Sequence, residues 1–249
     1  MRKILGVCCS LMMICATTSA RVGPLTESIK KNLTLSGAVY LQFNDYHLTH
    51  VMNTMVKKKK HSPSAVRLIV NNGKYGYVEH RCIGDYASNG AQAQLVKDNK
   101  YYLLNLNEKK GYLRSSKQAL SANIVEDGGN VPTALGFLFP DTLKSKSMLM
   151  EQKMYSFQKS VEEIVDGKVY QCEIYGSSMA MLSNKVFKLY FLDGKPVLYS
   201  NGAEKTEILT IMNTVDDNIF NIPNGFIIYA MEQDDMSKLL RKEKIVEKY

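Results

Sequence analysis

Short apolar and aromatic runs recur along most of the chain, separated by turn-forming residues roughly every 8–12 positions. Several runs are joined by Asn-Gly, Asp-Asn or Asp-Gly dipeptides, which tolerate the positive φ of tight hairpins. This pattern predicts a many-stranded antiparallel meander in a mainly β (α+β) fold. The predicted strands are Ser36–Tyr46, Val66–Val70, Tyr75–Ile83, Gln92–Val96, Tyr101–Leu106, Tyr112–Arg114, Val161–Ile164, Val169–Tyr175, Val186–Leu192, Pro196–Tyr199, Glu207–Asn213 and Phe226–Tyr229.

Alternation within three of these strands defines one apolar face. In a strand, residues two apart point to the same side, and their polar neighbours point to the other. The residues that this rule places on apolar faces are Val66, Leu68, Val70, Tyr102, Leu104, Leu106, Phe187, Leu189 and Phe191. Bare apolar surface costs about 25 cal/mol per Å². We therefore expect the sheet to curl around these residues or to leave an apolar concavity.

Few segments carry helical periodicity. Leu25–Leu33 is a short amphipathic stretch, and Val131–Phe157 combines helix with loop. Met231–Tyr249 places apolar residues near one face of a highly charged segment, which predicts a C-terminal helix. These helices are too short to cover so many strands.

The start of the chain has the three parts of a secretory signal. Arg2 and Lys3 are followed by the apolar run Ile4–Ala16 and by small residues at Thr17–Ala20. The sequence therefore predicts a signal peptide over residues 1–20 and a periplasmic or otherwise extracytoplasmic mature protein. We expect a single β domain over 21–229 and a charged tail over 230–249.

The charge balance is mildly basic. Removal of Arg2 and Lys3 lowers the formal net charge from +8 to +6, a surplus that serves solubility or contact with anionic membrane headgroups. The run Lys57–Lys60 lacks interleaved aromatic residues and a recognised nucleic-acid motif, which argues against a nucleic-acid partner. It is typical of a solvated loop or of a charged guard on a sheet edge.

Two cysteines remain after the predicted cleavage. Cys82 and Cys172 are candidates for one disulfide in an oxidising compartment. The alternative is a pair of buried, unpaired thiols that pack as small apolar side chains.

Catalytic and metal-binding patterns are absent from the sequence. It contains no Gly-x-Ser-x-Gly, His-Glu-x-x-His or Gly-rich phosphate loop. His47 and His50 lie three apart in an extended stretch and point to opposite faces, which makes them a poor metal site. We therefore expect a non-enzyme without cofactor or metal, although catalytic residues brought together only by folding stay an alternative.

Five segments together resemble the outer-membrane lipoprotein-sorting superfamily, which includes the periplasmic lipoprotein carrier. The segments combine hairpin turns with an Ile-Pro-x-Gly strand entry, and they cover most of residues 60–229. They are Val96–Asn105, Lys109–Tyr112, Val165–Cys172, Lys188–Val197 and Asp217–Phe226. The resemblance implies an incomplete antiparallel β-barrel, a half-barrel whose concave, apolar cavity is lidded by helices and accepts acyl chains.

The expected function is thus non-catalytic binding of lipid or lipoprotein acyl chains, with the nine alternating residues as the lining. Met148, Met150 and Met154 are candidates for an adaptable lid, because thioether side chains repack easily. The alternative is a protein-interaction or sensor module of the cell envelope, with the same fold and a filled core. Its partners are envelope proteins or the membrane surface.

Overall fold

The computed structural model describes residues 22–45, 63–114, 133–144, 146–177, 186–201, 205–231 and 245–249. The predicted signal peptide, the run Lys57–Lys60 and the histidines His47 and His50 lie outside these ranges. In the described part, no helix is long and apolar enough to cross a membrane.

Strands dominate the chain. They are β1 Val39–Asp45, β2 Ala65–Asn71, β3 Gly76–Cys82, β4 Ala91–Lys97, β5 Lys100–Asn105, β6 Lys110–Arg114, β7 Tyr155–Val165, β8 Lys168–Ser177, β9 Val186–Leu192, β10 Lys195–Ser200, β11 Lys205–Met212, β12 Ile227–Met231 and β13 Ile245–Lys248. The α-helices are α1 Pro24–Ser36, α2 Thr133–Gly136 and α3 Lys146–Gln152. Gly84–Asn89, Asp141–Leu143 and Asp217–Phe220 form 3₁₀ turns.

All these strands belong to one open 13-stranded sheet in the order β13-β12-β6-β5-β4-β3-β2-β1-β11-β10-β9-β8-β7. The mainly β prediction is confirmed, with two corrections to the antiparallel meander. Strand β1 pairs with β11, which is distant in the chain. Strand β12 pairs with β6 in parallel, because the chain returns from β11 to the far end of the sheet instead of turning back beside it. Strands β7 and β13 are the two edges.

The tight turns follow the predicted dipeptides, with one exception. Asp166-Gly167 and Asp193-Gly194 have positive φ at both central residues, as two-residue hairpins require. Between β2 and β3, only Gly73 is left-handed. There the Asn72 side chain accepts hydrogen bonds from the backbone N–H groups of Lys74 and Tyr75, which produces a longer turn.

Both faces of the sheet are buried, whereas the alternation predicted one apolar face. We call "helix side" the face against which α1, α3 and the segment Leu135–Phe139 pack, and "far side" the opposite face. In β5, Tyr101 lies on the helix side and Tyr102 on the far side. The far side is covered by the segment 213–226, through Phe220, Ile222 and other apolar residues.

The C-terminus is a strand rather than the predicted helix. Residues Ile245–Lys248 form β13 and pair with β12. The Gly225 N–H donates to the Tyr249 carbonyl at 2.6 Å, and the Tyr249 N–H donates to the Phe226 carbonyl at 3.0 Å. The helix prediction is wrong for these residues because the edge of β12 offers unpaired backbone groups. Pairing with that edge outweighs the local helical periodicity of the sequence. Residues 232–244 lie outside the described ranges.

Candidate functional site

The nine predicted lining residues are divided between the two faces of the sheet. Six of them lie on the far side by strand alternation, where five belong to the apolar cluster beneath the segment 213–226. These six are Val66, Leu68, Val70, Tyr102, Leu104 and Leu106. The other three, Phe187, Leu189 and Phe191 of β9, are buried on the helix side. The fold therefore does not bring all nine together, and the helix side is the candidate site.

Aromatic rings form the centre of the helix side. Tyr175 of β8 stacks on Phe187 of β9 with a centroid distance of 4.8 Å. Phe137 lies over both rings, at 5.1 Å from Tyr175 and 5.5 Å from Phe187. Tyr155 and other rings of β7 and β10 contact the same group. The result is a wide apolar floor built by β7–β10.

The segment Leu135–Phe139 covers this floor. Leu135, Phe137, Leu138 and Phe139 are each no more than 1% exposed and belong to the helix-side cluster. This segment lies in the region predicted as mixed helix and loop, and its role as a cover was not predicted. The sequence did carry a signal for a buried segment, because Leu135–Phe139 is the densest apolar run between Val131 and Phe157.

A buried carboxylate attaches α1 to the sheet. Glu173 of β8 is fully buried and accepts hydrogen bonds from the Leu25 N–H at 2.7 Å and from the Thr26 hydroxyl at 2.5 Å. The Tyr175 hydroxyl donates to Glu173 at 2.9 Å and accepts from the Gly23 N–H at 3.0 Å. Burial raises the pKa of Tyr175, which keeps this hydroxyl protonated as a donor. Glu173 thus replaces the missing N-cap side chain of α1.

Glycine is required at the start of α1. A Cβ at Gly23 would collide with the Glu173 carboxylate, and Pro24 then occupies the first helical turn, where its missing N–H is harmless. At the other end, Gly37 adopts the left-handed conformation and its N–H donates to the Leu33 carbonyl at 3.0 Å.

An ionic contact links α1 to the cover. Asp141 follows the Leu135–Phe139 segment and lies 2.7 Å from Lys144 Nζ and 3.3 Å from Lys30 Nζ of α1. Burial lowers the pKa of Lys144, although Asp141 opposes that shift. Burial also acts to raise the pKa of Asp141, but the hydrogen bond and charge of Lys144, with Lys30, lower it overall.

The predicted lid methionines differ in exposure. Met148 of α3 packs on the helix-side cluster, Met154 is half-buried, and Met150 is exposed. The structure places one of the three against the candidate site.

One end of the helix side is open. The exposed fractions of Ile164 and Val169, which pair across the tip of the β7–β8 hairpin, are 74% and 54%. Beside them, a shallow hollow of about 270 Å³ lies between β8 and the β9–β10 turn. Val169, Gln171, Phe191, Leu192, Asp193 and Gly194 line it.

The candidate disulfide is not formed. Cys82 and Cys172 are free thiols on β3 and β8, with five strands between them in the sheet. A disulfide needs Cα atoms within about 7 Å, which this order does not provide. Burial raises the pKa of Cys172 to about 12, so this thiol is chemically inert in the folded protein.

Among the described residues, no group of three or more His, Cys, Asp or Glu side chains is placed to hold a metal ion. The buried carboxylate Glu173 is engaged by donors of α1 and by Tyr175. The surface of the helix side is mainly apolar.

Comparisons with known proteins give structural neighbours only, since no protein-family model and no curated protein matches the chain. An uncharacterised conserved protein from Thermus thermophilus is 8% identical, with 83% of this chain and 97% of that chain covered and a TM-score of 0.38. A domain described as outer-membrane lipoprotein-sorting from Vibrio parahaemolyticus is 9% identical, with 79% and 94% covered and a TM-score of 0.29. A LolA superfamily protein from Nitrosomonas europaea is 10% identical, with 79% and 97% covered and a TM-score of 0.29. Similarity at this level assigns no family, ligand or activity to the chain.

Proposed function

We propose that this chain is an exported, non-catalytic protein of the cell envelope that binds acyl chains of lipids or lipoproteins on the helix side of its sheet. The signal-like residues 1–20 support export. The aromatic and aliphatic floor of β7–β10 supports an apolar ligand.

The observation that carries the proposal is that short helices and a turn cover much of the apolar floor. Beside α1, the floor is covered by a four-residue helix, a 3₁₀ turn and a seven-residue helix. Such short elements have few internal backbone hydrogen bonds, so apolar contact holds Leu135–Phe139 in place. An acyl chain offers the same kind of contact and competes for the same surface.

The free energy gained by burying an acyl chain is similar in size to the free energy lost by exposing the cover. Burial of an acyl chain of about 16 carbons yields about 12 kcal/mol at about 0.8 kcal/mol per CH₂. Exposure of Leu135, Phe137, Leu138 and Phe139 costs about 1.5–3 kcal/mol each, or about 6–12 kcal/mol together. The difference of about 0–6 kcal/mol is well below the full burial energy of the chain, which favours the reversible binding that a carrier needs for release.

Phe187, Leu189 and Phe191 are the proposed ligand contacts among the nine predicted residues. The six far-side residues are not part of the proposed site, and five of them, all but Val66, belong to the core beneath the segment 213–226. No metal, cofactor or covalent step is part of the mechanism.

Native mass spectrometry of the mature protein, purified from its own host after export, tests the proposal. We expect a co-purifying lipid, and after its removal we expect binding of the apolar fluorophore N-phenylnaphthylamine with displacement by palmitic acid. Bare protein that also fails to bind the fluorophore contradicts the proposal.

A photoactivatable palmitic acid locates the ligand on one face. We expect cross-links to peptides that contain Leu135–Phe139 or Phe187–Phe191. Cross-links confined to the far-side residues Tyr102–Leu106 contradict the assignment to the helix side, even if lipid is bound.

The second candidate function is a protein-interaction or sensor module with envelope proteins or the membrane surface as partners. Two observations favour it. The helix-side cluster is filled by the protein's own side chains, and two apolar residues at the edge of the sheet are exposed, Ile164 on the edge strand β7 and Val169 on β8. Bare protein in the native spectra, together with partner loss on Ile164→Asp substitution, favours this module over the carrier.

A further inference from the structure

A buried glutamine lies within the cover of the helix side. Gln152 is the last residue of α3 and is 5% exposed. Its side-chain Nε2 has no hydrogen-bond partner. Most buried polar groups in proteins are paired, so an unpaired amide donor in an apolar site requires an explanation.

The absence of a side chain at Gly136 leaves room for this amide inside the cover. A Cβ at Gly136 would collide with Gln152 Nε2 and with Met148 Cε. The glycine therefore leaves the space that the amide occupies, between the buried residues Leu135 and Phe137. The donor thus lies against the segment that is proposed to exchange with an acyl chain.

We propose that the Gln152 amide donates a hydrogen bond to the carbonyl oxygen of an acyl ligand, either an ester or a carboxyl group. This inference rests on the proposed function of the helix side. An acyl chain ends in one strong acceptor, which matches one buried donor among apolar neighbours. The amide is neutral, and the buried Lys144 is paired with Asp141, so a carbonyl suits the site better than a phosphate.

The test compares lauric acid, methyl laurate and dodecane as displacers of N-phenylnaphthylamine from the delipidated mature protein. Wild-type protein should bind the acid or the ester more tightly than the alkane, and the acid and ester arms identify which carbonyl is preferred. Gln152→Leu should weaken binding of the preferred carbonyl compound about tenfold and leave dodecane unchanged. Gln92→Leu, an exposed glutamine of β4, is the matched control and should leave all three unchanged.

The outcomes separate this inference from the proposed function. If no compound and no fluorophore binds, the proposed function fails and takes this inference with it. If all three bind and Gln152→Leu leaves their relative affinities unchanged, the carrier stands and the role of Gln152 is overturned. Gln152→Met keeps the length of the side chain and is included in case Gln152→Leu fails to fold. It should weaken binding of the carbonyl compound as Gln152→Leu does.

Discussion

At the residue scale, Glu173 shows how one buried side chain replaces a local helix cap. Its carboxylate is fully buried yet satisfied by donors from α1 and by Tyr175. Capping residues normally precede their helix directly, whereas Glu173 is 147 positions from Thr26. The attachment of α1 to the sheet therefore depends on a contact that no local pattern encodes.

Replacement of Glu173 should be strongly destabilising. Glu173→Ala removes the acceptor of the Leu25 N–H, the Thr26 N–H and the Thr26 hydroxyl, and we expect a loss of about 3 kcal/mol in the free energy of unfolding. Urea denaturation measures it. Glu162→Ala, at an exposed position of β7, is the control and should change stability by less than about 0.5 kcal/mol. Equal effects of the two variants would contradict the capping role.

The Glu163–Lys188 pair should make the free energy of unfolding depend on pH in the acidic range. Lys188 Nζ lies 2.5 Å from Glu163 Oε1, and the Tyr190 hydroxyl donates to Oε2 at 3.0 Å. The Lys188 hydrogen bond, with that of Tyr190, lowers the pKa of Glu163 below its usual 4.5. A carboxyl with a depressed pKa stabilises the fold above its unfolded-state pKa, and this contribution disappears as the pH falls through the folded-state pKa.

A double-mutant cycle of Glu163→Gln and Lys188→Met measures this contribution. We expect a coupling of about 1 kcal/mol at neutral pH, since the pair is partly exposed. Below the usual pKa of 4.5 the coupling should decline toward zero. A coupling that stays constant down to pH 2 would show that the carboxylate charge is not its source.

At the element scale, the strands could be predicted because their signals are local. Period-two alternation and turn dipeptides placed β9 and the β7–β8 hairpin correctly, and alternation placed Phe187, Leu189 and Phe191 on one face. The parallel β6–β12 pair, β13 and the cover Leu135–Phe139 depend on contacts between distant residues. Alternation also does not state on which side of the sheet an apolar face lies, so the far-side residues of β2 and β5 were grouped with the helix-side residues of β9.

The cover segment gives a matched comparison between the two faces. Phe137 and Phe220 are both almost fully buried, on the helix side and far side respectively. Phe137→Ala and Phe220→Ala should each cost about 3–5 kcal/mol of stability. Only Phe137→Ala should increase the affinity for N-phenylnaphthylamine, because it loosens the cover and leaves an apolar space. A similar increase in both variants would place binding outside the helix side.

At the scale of the whole molecule, the single sheet predicts that its two halves unfold together. Cys82 lies on β3 and Cys172 on β8, with five strands between them. Cys172 is fully buried and its pKa is raised to about 12 by burial, so a maleimide can react with it only after the strands around it separate. Cys82 is half-buried, so its labelling does not require the same event.

The labelling rate of Cys172 in increasing urea therefore reports on cooperativity. In the mature protein, which lacks the cysteines of the predicted signal peptide, we expect Cys172 labelling to follow the unfolding curve measured by far-ultraviolet circular dichroism. The reason is that β8 is hydrogen-bonded on both sides, to β7 and β9, and shares the helix-side cluster with β1, β2 and β5. A Cys82→Ser variant isolates the signal. Labelling of Cys172 well below the unfolding midpoint would mean that β7–β9 open as a separate unit, and the helix-side floor would then be exposed without displacement of Leu135–Phe139.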